Sequence, residues 1–144
     1  MKLLFCFAGV LAIAAVASAA DAITYVSADK VTAGFMKGGN IATGAAFAVQ
    51  TSRRDKAGNP EAHATDDEIM YVVDGEATLV VGGTMIGGKE GKNGNSSGTG
   101  VEGGETHHLT KGDVLVVPKG TPHWFKEVPS SINYYVVKVH APAR

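Results

Sequence analysis

The sequence predicts an all-β domain, and three observations support this. The runs "AAFAVQTSR", "IMYVV", "EATLVV", "DVLVVP" and "INYYVVKV" are of strand length and rich in β-branched and aromatic residues. Glycine, proline and polar turns separate them. No long segment repeats its apolar residues with a helical period.

The first twenty residues stand apart. Lys2 precedes an apolar run from Leu3 to Ala17, and the small residues "ASAA" lead to Asp21. That pattern reads as a secretory signal peptide over 1–20, cleaved after Ala19 or Ala20, with a buried N-terminal helix as the alternative. The run is short of the about 20 apolar residues that span a bilayer. Cys6 is the chain's only cysteine, and bulky Phe5 before it argues against lipidation. Cleavage would therefore leave residues 21–144 as one thiol-free domain, secreted or periplasmic, whose stability rests on its core. The chain carries 13 basic and 14 acidic side chains, and loss of Lys2 makes it slightly more acidic. This charge balance suggests neither nucleic acid nor, once the leader is gone, a membrane as partner.

Within the remaining domain, Ile23 to Val26 is expected as a first strand. Ser27 and Asp29 are expected to cap a short helix to about Lys37. The strand core spans about 44–140, and in its first long strand Phe47, Val49, Thr51 and Arg53 share one face, taken as inward. In the last strand Tyr135, Val137 and Val139 form the apolar face, with Lys138 and His140 opposite and expected at the surface. Residues 82–104 hold ten of the chain's 19 glycines and almost no apolar anchors. The expectation there is a mobile loop between two strands, either a tolerated insertion or a lid over a pocket.

Two stretches carry chemistry. In "EAHATDDEIMYVVDG", Glu61 and His63 lie two apart, so on a strand both point to one face. Glu68 shares its face with Met70 and Val72, which places a carboxylate among apolar side chains, where it needs a compensating partner. In "GDVLVVPKGTPHWF", two sharp turns bracket a strand, and His123 follows on the same face as Phe125. A histidine placed so is either a hydrogen-bonded core residue or a metal ligand.

The spacing Gly112, five residues, Pro118, one residue, Gly120, two residues, His123 resembles the second motif of the cupin superfamily. His63, four residues, Glu68, six residues, Gly75 resembles the end of the first motif, where an HxH pair precedes a glutamate. The resemblance covers about Phe47 to Val139. It implies a double-sheet jelly-roll barrel, a homodimer, and one divalent metal held inside the barrel by ligands from both motifs. Carried over by position, His63, Glu68 and His123 are metal ligands. Three positions depart from the pattern: Glu61 stands where the first histidine is expected, Glu127 where an asparagine is, and Asp55 where the opening glycine is.

His63, Glu68 and His123 form a two-histidine, one-carboxylate set, which suits Fe(II) and leaves positions open for water, oxygen or substrate. With Glu61 as a fourth ligand the set becomes harder and favours Mn or Fe, with Zn or Ni as further options. Alternatively Glu61 is a catalytic general base beside the metal. A third reading is a metal-free barrel in which Glu61 and Glu68 form salt bridges or face water. Candidate substrate-binding residues are Arg53, Met70, His107 and Phe125. Arg53 would hold a carboxylate unless it is simply exposed at a strand end, and His107, on the face of Leu109, would replace the missing histidine. His108 is expected to be solvated.

The function expected is that of a metal-dependent enzyme on a small polar organic molecule, with dioxygenase chemistry first and isomerase or lyase chemistry as options. The rival is a non-catalytic protein binding a small ligand or metal outside the cytoplasm.

Overall fold

The computed structural model describes residues 23–140. The expected signal peptide and its cleavage site lie outside the described residues. Among those described, no helix is long and apolar enough to cross a membrane.

The elements in order are helix α1 (Ala28–Lys37), β1 (Gly39–Thr43), β2 (Phe47–Arg54), β3 (Glu61–Ala62), β4 (Asp66–Gly75), β5 (Ala77–Val81) and β6 (Thr84–Ile86). They continue as β7 (Lys89–Glu90), β8 (Ser96–Ser97), β9 (Gly100–Glu102), β10 (Glu105–Leu109), β11 (Val114–Val117), β12 (His123–Glu127) and β13 (Ile132–His140). One sheet has the order β1-β2-β13-β4-β11 and the other β10-β5-β12-β3-β8-β7, with β6 and β9 as a separate ribbon. The core lies between the two sheets. Met70, Val72, Val117, Ile132, Tyr134 and Val136 from the first sheet pack with Ala77, Leu79, Leu109 and Phe125 from the second. Side chains as completely enclosed as Leu79 and Ile132 each contribute about 1.5–3 kcal/mol. The all-β double-sheet jelly roll with one short helix is the architecture the sequence predicts.

Ser27 is the N-cap of α1 in extended conformation, but its side chain makes no capping hydrogen bond. Ile23 to Val26 forms no strand, and Ile23 and Tyr25 are exposed. Residues 82–104 join β5 to β10 as expected, yet they are not structureless. They fold into β6 to β9 and a 3₁₀ turn at Lys92–Gly94, and β7 and β8 extend the second sheet beyond β3. Composition gave no sign of this, because these strands pair through backbone groups and bury little side chain.

The inward face of β13 is the reverse of the one expected. Ile132, Tyr134 and Val136 are buried, and Lys138 follows them inward, whereas Val139 is exposed. In β2 the interior face is Gln50, Ser52 and Arg54, and Arg53 is exposed. The cause is that both faces of this sheet are apolar in part. Helix α1 lies on the outer face, with Phe35 edge-on to Tyr135 at 5.3 Å between ring centroids and Thr51 fully covered. The barrel interior near the site is polar, so alternation alone selects the wrong side.

The chain passes from the first sheet to the second at Gly75–Glu76. Gly75 has φ +82°, and a Cβ there would lie 1.9 Å from the Ser131 carbonyl oxygen. Gly75→Ala should therefore lower stability by about 2 kcal/mol or more, from backbone strain and overlap with a main-chain atom. Urea unfolding followed by tryptophan fluorescence measures it; an unchanged midpoint would show that this corner is not held as described.

Candidate metal centre

β3, β4, β12 and β13 converge at one end of the barrel. Glu61 on β3 lies directly opposite His123 on β12 in the ladder. His63 follows β3, and its carbonyl accepts the Gly120 amide at 2.7 Å. Gly120, at φ +76°, closes the turn before β12. The neighbouring Lys119 amide donates to Asp67 Oδ1 at 2.8 Å. These two bonds dock the turn of the second motif onto the loop of the first and bring His63 to His123, with ring centroids 5.4 Å apart.

The donor atoms of Glu61, His63 and His123 lie within 4.8 Å of one another. Glu68 stands beside them, its Oε1 at 3.3 Å from His63 Nε2 and its Oε2 at 3.3 Å from His123 Nε2. Glu61 Oε1 is 3.7 Å from His123 Nε2. Glu68 and His123 are almost wholly buried, at 3% and 1% exposure. All four residues singled out in the sequence as ligands thus occupy one cluster.

Two cations missed as site residues complete it. Lys138 Nζ lies 2.8 Å from Glu68 Oε1, because β13 pairs with β4 with Lys138 directly opposite Glu68. Arg54 donates from Nε to the Tyr134 hydroxyl at 3.0 Å and approaches Glu61 Oε1 at 3.4 Å. Its guanidinium lies 4.8 Å from the Phe125 ring centroid. Alternation in the sequence does not reveal either, because it points the opposite faces of β2 and β13 inward. The readable signal was polar: Gln50, Ser52, Arg54 and Lys138 line one cavity of about 160 Å³ with Glu61, His63 and Glu68.

Of the substrate-binding candidates, Met70 and Phe125 do line this cavity. Arg53 does not; it faces outward, hydrogen-bonds Asn133 and lines a larger groove of about 470 Å³ beneath α1. That groove has no metal-ligating cluster in its walls, so its size does not make it the candidate site. His107 shares the face of Leu109 but contacts Glu105 at 3.5 Å and does not reach the cluster, so it does not replace the missing histidine. His108 is solvated, as expected, beside Glu76. His140 is half-exposed and bonded to Asp66 at 2.7 Å.

Burial lowers the basicity of His123, and the opposing charge of Glu68 only partly offsets this. Its Nδ1 lies 3.2 Å from the Thr121 carbonyl, an acceptor that only an N–H can satisfy. The neutral ring therefore carries its proton on Nδ1 and turns a bare Nε2 toward Glu61 and Glu68. His123 Nε2 and His63 Nδ1 are buried without a hydrogen-bond partner. Burial also keeps the Tyr134 phenol protonated, against the influence of Arg54. Lone pairs on an imidazole and two carboxylates directed at one point repel unless a cation lies between them. The residues present therefore fit a divalent ion.

A sequence profile described as Cupin matches residues 36–144. No curated protein matches the chain. A protein from Bacillus halodurans has a similar structure, with 13% identity, 83% of each chain covered and a TM-score of 0.58. A cupin protein from Bacteroides fragilis covers 69% of this chain and 70% of its own at 13% identity and a TM-score of 0.46. The coconut allergen cocosin matches 66% of this chain with 22% of its own, at 14% identity and 0.48. At these identities the likeness concerns the fold. With the profile match over most of its length, the chain belongs to the cupin family.

Proposed function

We propose that this cupin binds one divalent metal ion through His63 and His123 together with carboxylate from Glu61, Glu68 or both, and that it acts on a small polar organic molecule. The observation that carries the reading is the bare, buried Nε2 of His123 facing two carboxylates. Nitrogen and carboxylate donors without thiolate favour Mn or Fe over Cu, with Zn or Ni as further options. When bound, such an ion supplies Lewis acidity or, as iron, the capacity to activate dioxygen. Dioxygenase chemistry is the first class to assay, then isomerase and lyase chemistry.

The chain's own residues would bind and orient the substrate. A cavity of about 160 Å³ is of a size that suits a small molecule. Arg54, fixed by Tyr134 and Phe125, offers donors to an anionic or polar group, the part the sequence assigned to Arg53. Glu61, more open than Glu68, is either a ligand of the ion or, off the ion, the base that moves a proton at the substrate. In the non-catalytic alternative the same walls hold a ligand or metal without turnover. Glu61→Gln separates the two: an enzyme loses turnover and keeps most of its ligand affinity. By the signal-like N-terminus, the protein works in the periplasm or outside the cell.

Elemental analysis of the untagged protein tests the metal directly. Near-equimolar metal is expected, with affinity at least about 100-fold lower in His63→Ala or His123→Ala. Substoichiometric metal after Mn, Fe, Zn and Ni have each been supplied would overturn the reading.

Acidity should act through His123. Its pKa is lowered from 6.5 in the folded chain, so below about 6.5 the unfolded chain takes up a proton that the folded one resists. Stability of the metal-free protein should be full above that pH and fall as pH drops through the window beneath it. Metal affinity should fall in the same direction, because protons compete for the nitrogen. Thermal melts from pH 8 to 5 on wild type and His123→Gln measure this, and the variant's profile should be flatter.

We also propose a homodimer formed through the outer face of the first sheet. Val114 and Val116 on β11 are 61% and 58% exposed, and Ile69, Tyr71 and Val139 are exposed beside them. A continuous apolar sheet face of this kind suits a two-fold contact with a second copy. Sedimentation equilibrium should give a dimer for wild type and a monomer for Val116→Asp; a monomeric wild type rules the dimer out.

A further inference from the structure

We infer that Lys138 is a built-in counter-cation that keeps Glu68 out of the metal's coordination shell. The ligands are then Glu61, His63 and His123, and Glu68 is a positioning residue for the His63 imidazole. This rests on the metal-binding reading above and assigns the carboxylates within it.

The register of the first sheet dictates the contact. Lys138 and Glu68 are directly opposed across the β13–β4 ladder, and their charged groups meet at 2.8 Å with 17% and 4% of the side chains exposed. Such a pair is costly to separate, since the carboxylate it would leave is buried. Glu68 Oε1 is engaged by Lys138 and lies 3.3 Å from His63 Nε2, while Oε2 faces the bare Nε2 of His123 at 3.3 Å. A carboxylate beside one ring nitrogen commonly fixes a histidine whose other nitrogen binds metal. His63 fits this role, since its Nδ1 is buried and unpartnered.

Glu61 is placed differently. It is 38% exposed by side chain, it borders the cavity, and its approach from Arg54 is long at 3.4 Å. Its donor atom already groups with those of His63 and His123 within 4.8 Å. The departure from the family pattern at position 61 thus supplies the anionic ligand. The glutamate that the pattern offers is neutralised by a lysine on the facing strand.

Titration of the metal-free full-length chain with Mn²⁺ alone, and the visible absorption of its Co²⁺ form, test the assignment. Lys138→Met frees Glu68 and removes a nearby positive charge, so it should bind Mn²⁺ at least about 10-fold more tightly. Its Co²⁺ bands should shift as a carboxylate joins the ion. Lys138→Arg should keep the wild-type bands. Should Lys138→Met fail to fold, Glu68→Gln decides the question: its Co²⁺ bands should match wild type, because Glu68 is not a ligand. Equal or weaker Mn²⁺ affinity in a folded Lys138→Met, or shifted bands in Glu68→Gln, would overturn the assignment while leaving a metal site lost on His123→Ala intact. Binding by Lys138→Met but not by wild type would overturn it, because Glu61, His63 and His123 would then not suffice as the ligand set. No binding by either would remove the metal reading and this assignment together.

Discussion

Glu68 is taken almost wholly out of water, and much of the surrounding structure follows from the partners it requires. A carboxylate at 3% exposure is not tolerated alone in a protein interior. Its neighbours come from three directions: Lys138 across the ladder and His63 from the loop after β3 face its Oε1, and His123 from the second sheet turns a bare Nε2 toward its Oε2. Each demands something of the backbone. Lys138 faces the interior only if β13 turns its even-numbered side inward, and that choice fixes which side chains of β2 line the cavity. His123 reaches Glu68 only if the two sheets close over each other at this end.

That closure is made by backbone features. Gly75 lets the chain leave one sheet and enter the other within two residues, against the main chain at Ser131. The turn ending at Gly120 is tied to His63 and Asp67 by two amide bonds. The glycines of the two motifs thus act on the site through the backbone, Gly120 by its amide bond to the His63 carbonyl. They set the distance between a histidine on a loop and a histidine on a strand some sixty positions later.

This explains which parts of the molecule were legible in the sequence. The strands were, because runs such as "VLVV" and "INYYVVKV" have one common use in a chain without helical periodicity. His63, Glu68 and His123 were legible as a group through their spacing to glycines that permit the turns. Arg54 and Lys138 were hidden by the alternation rule itself. That rule assumes that the apolar side of a strand faces the core, but β2 turns Gln50, Ser52 and Arg54 into the barrel, and in β13 both faces are apolar, with Lys138 following Ile132, Tyr134 and Val136 inward. The ordered strands of 82–104 were hidden for another reason. Their pairing is carried by the main chain, on which composition bears only weakly.

The charge balance of the interior bears on what the cavity can accept. Glu61 is matched by Arg54 and Glu68 by Lys138, and the neutral His123 adds nothing to the sum. A dication entering this balanced set would leave two positive charges in excess beside a small cavity with Arg54 in its wall. An excess of that sign in a low-dielectric recess attracts a small anionic or oxygen-rich molecule. The phenol of Tyr134, kept protonated by burial, adds a neutral donor alongside. The groove beneath α1 has the opposite character. Val31, Phe35, Val73 and Tyr135 form its walls and only Arg53 brings charge, so a small polar substrate finds little there to bind it. Adjacent arginines, pointing to opposite sides of one strand, thus separate the polar cavity from the apolar one, and Arg54 is the one directed at the cluster of Glu61, His63, Glu68 and His123.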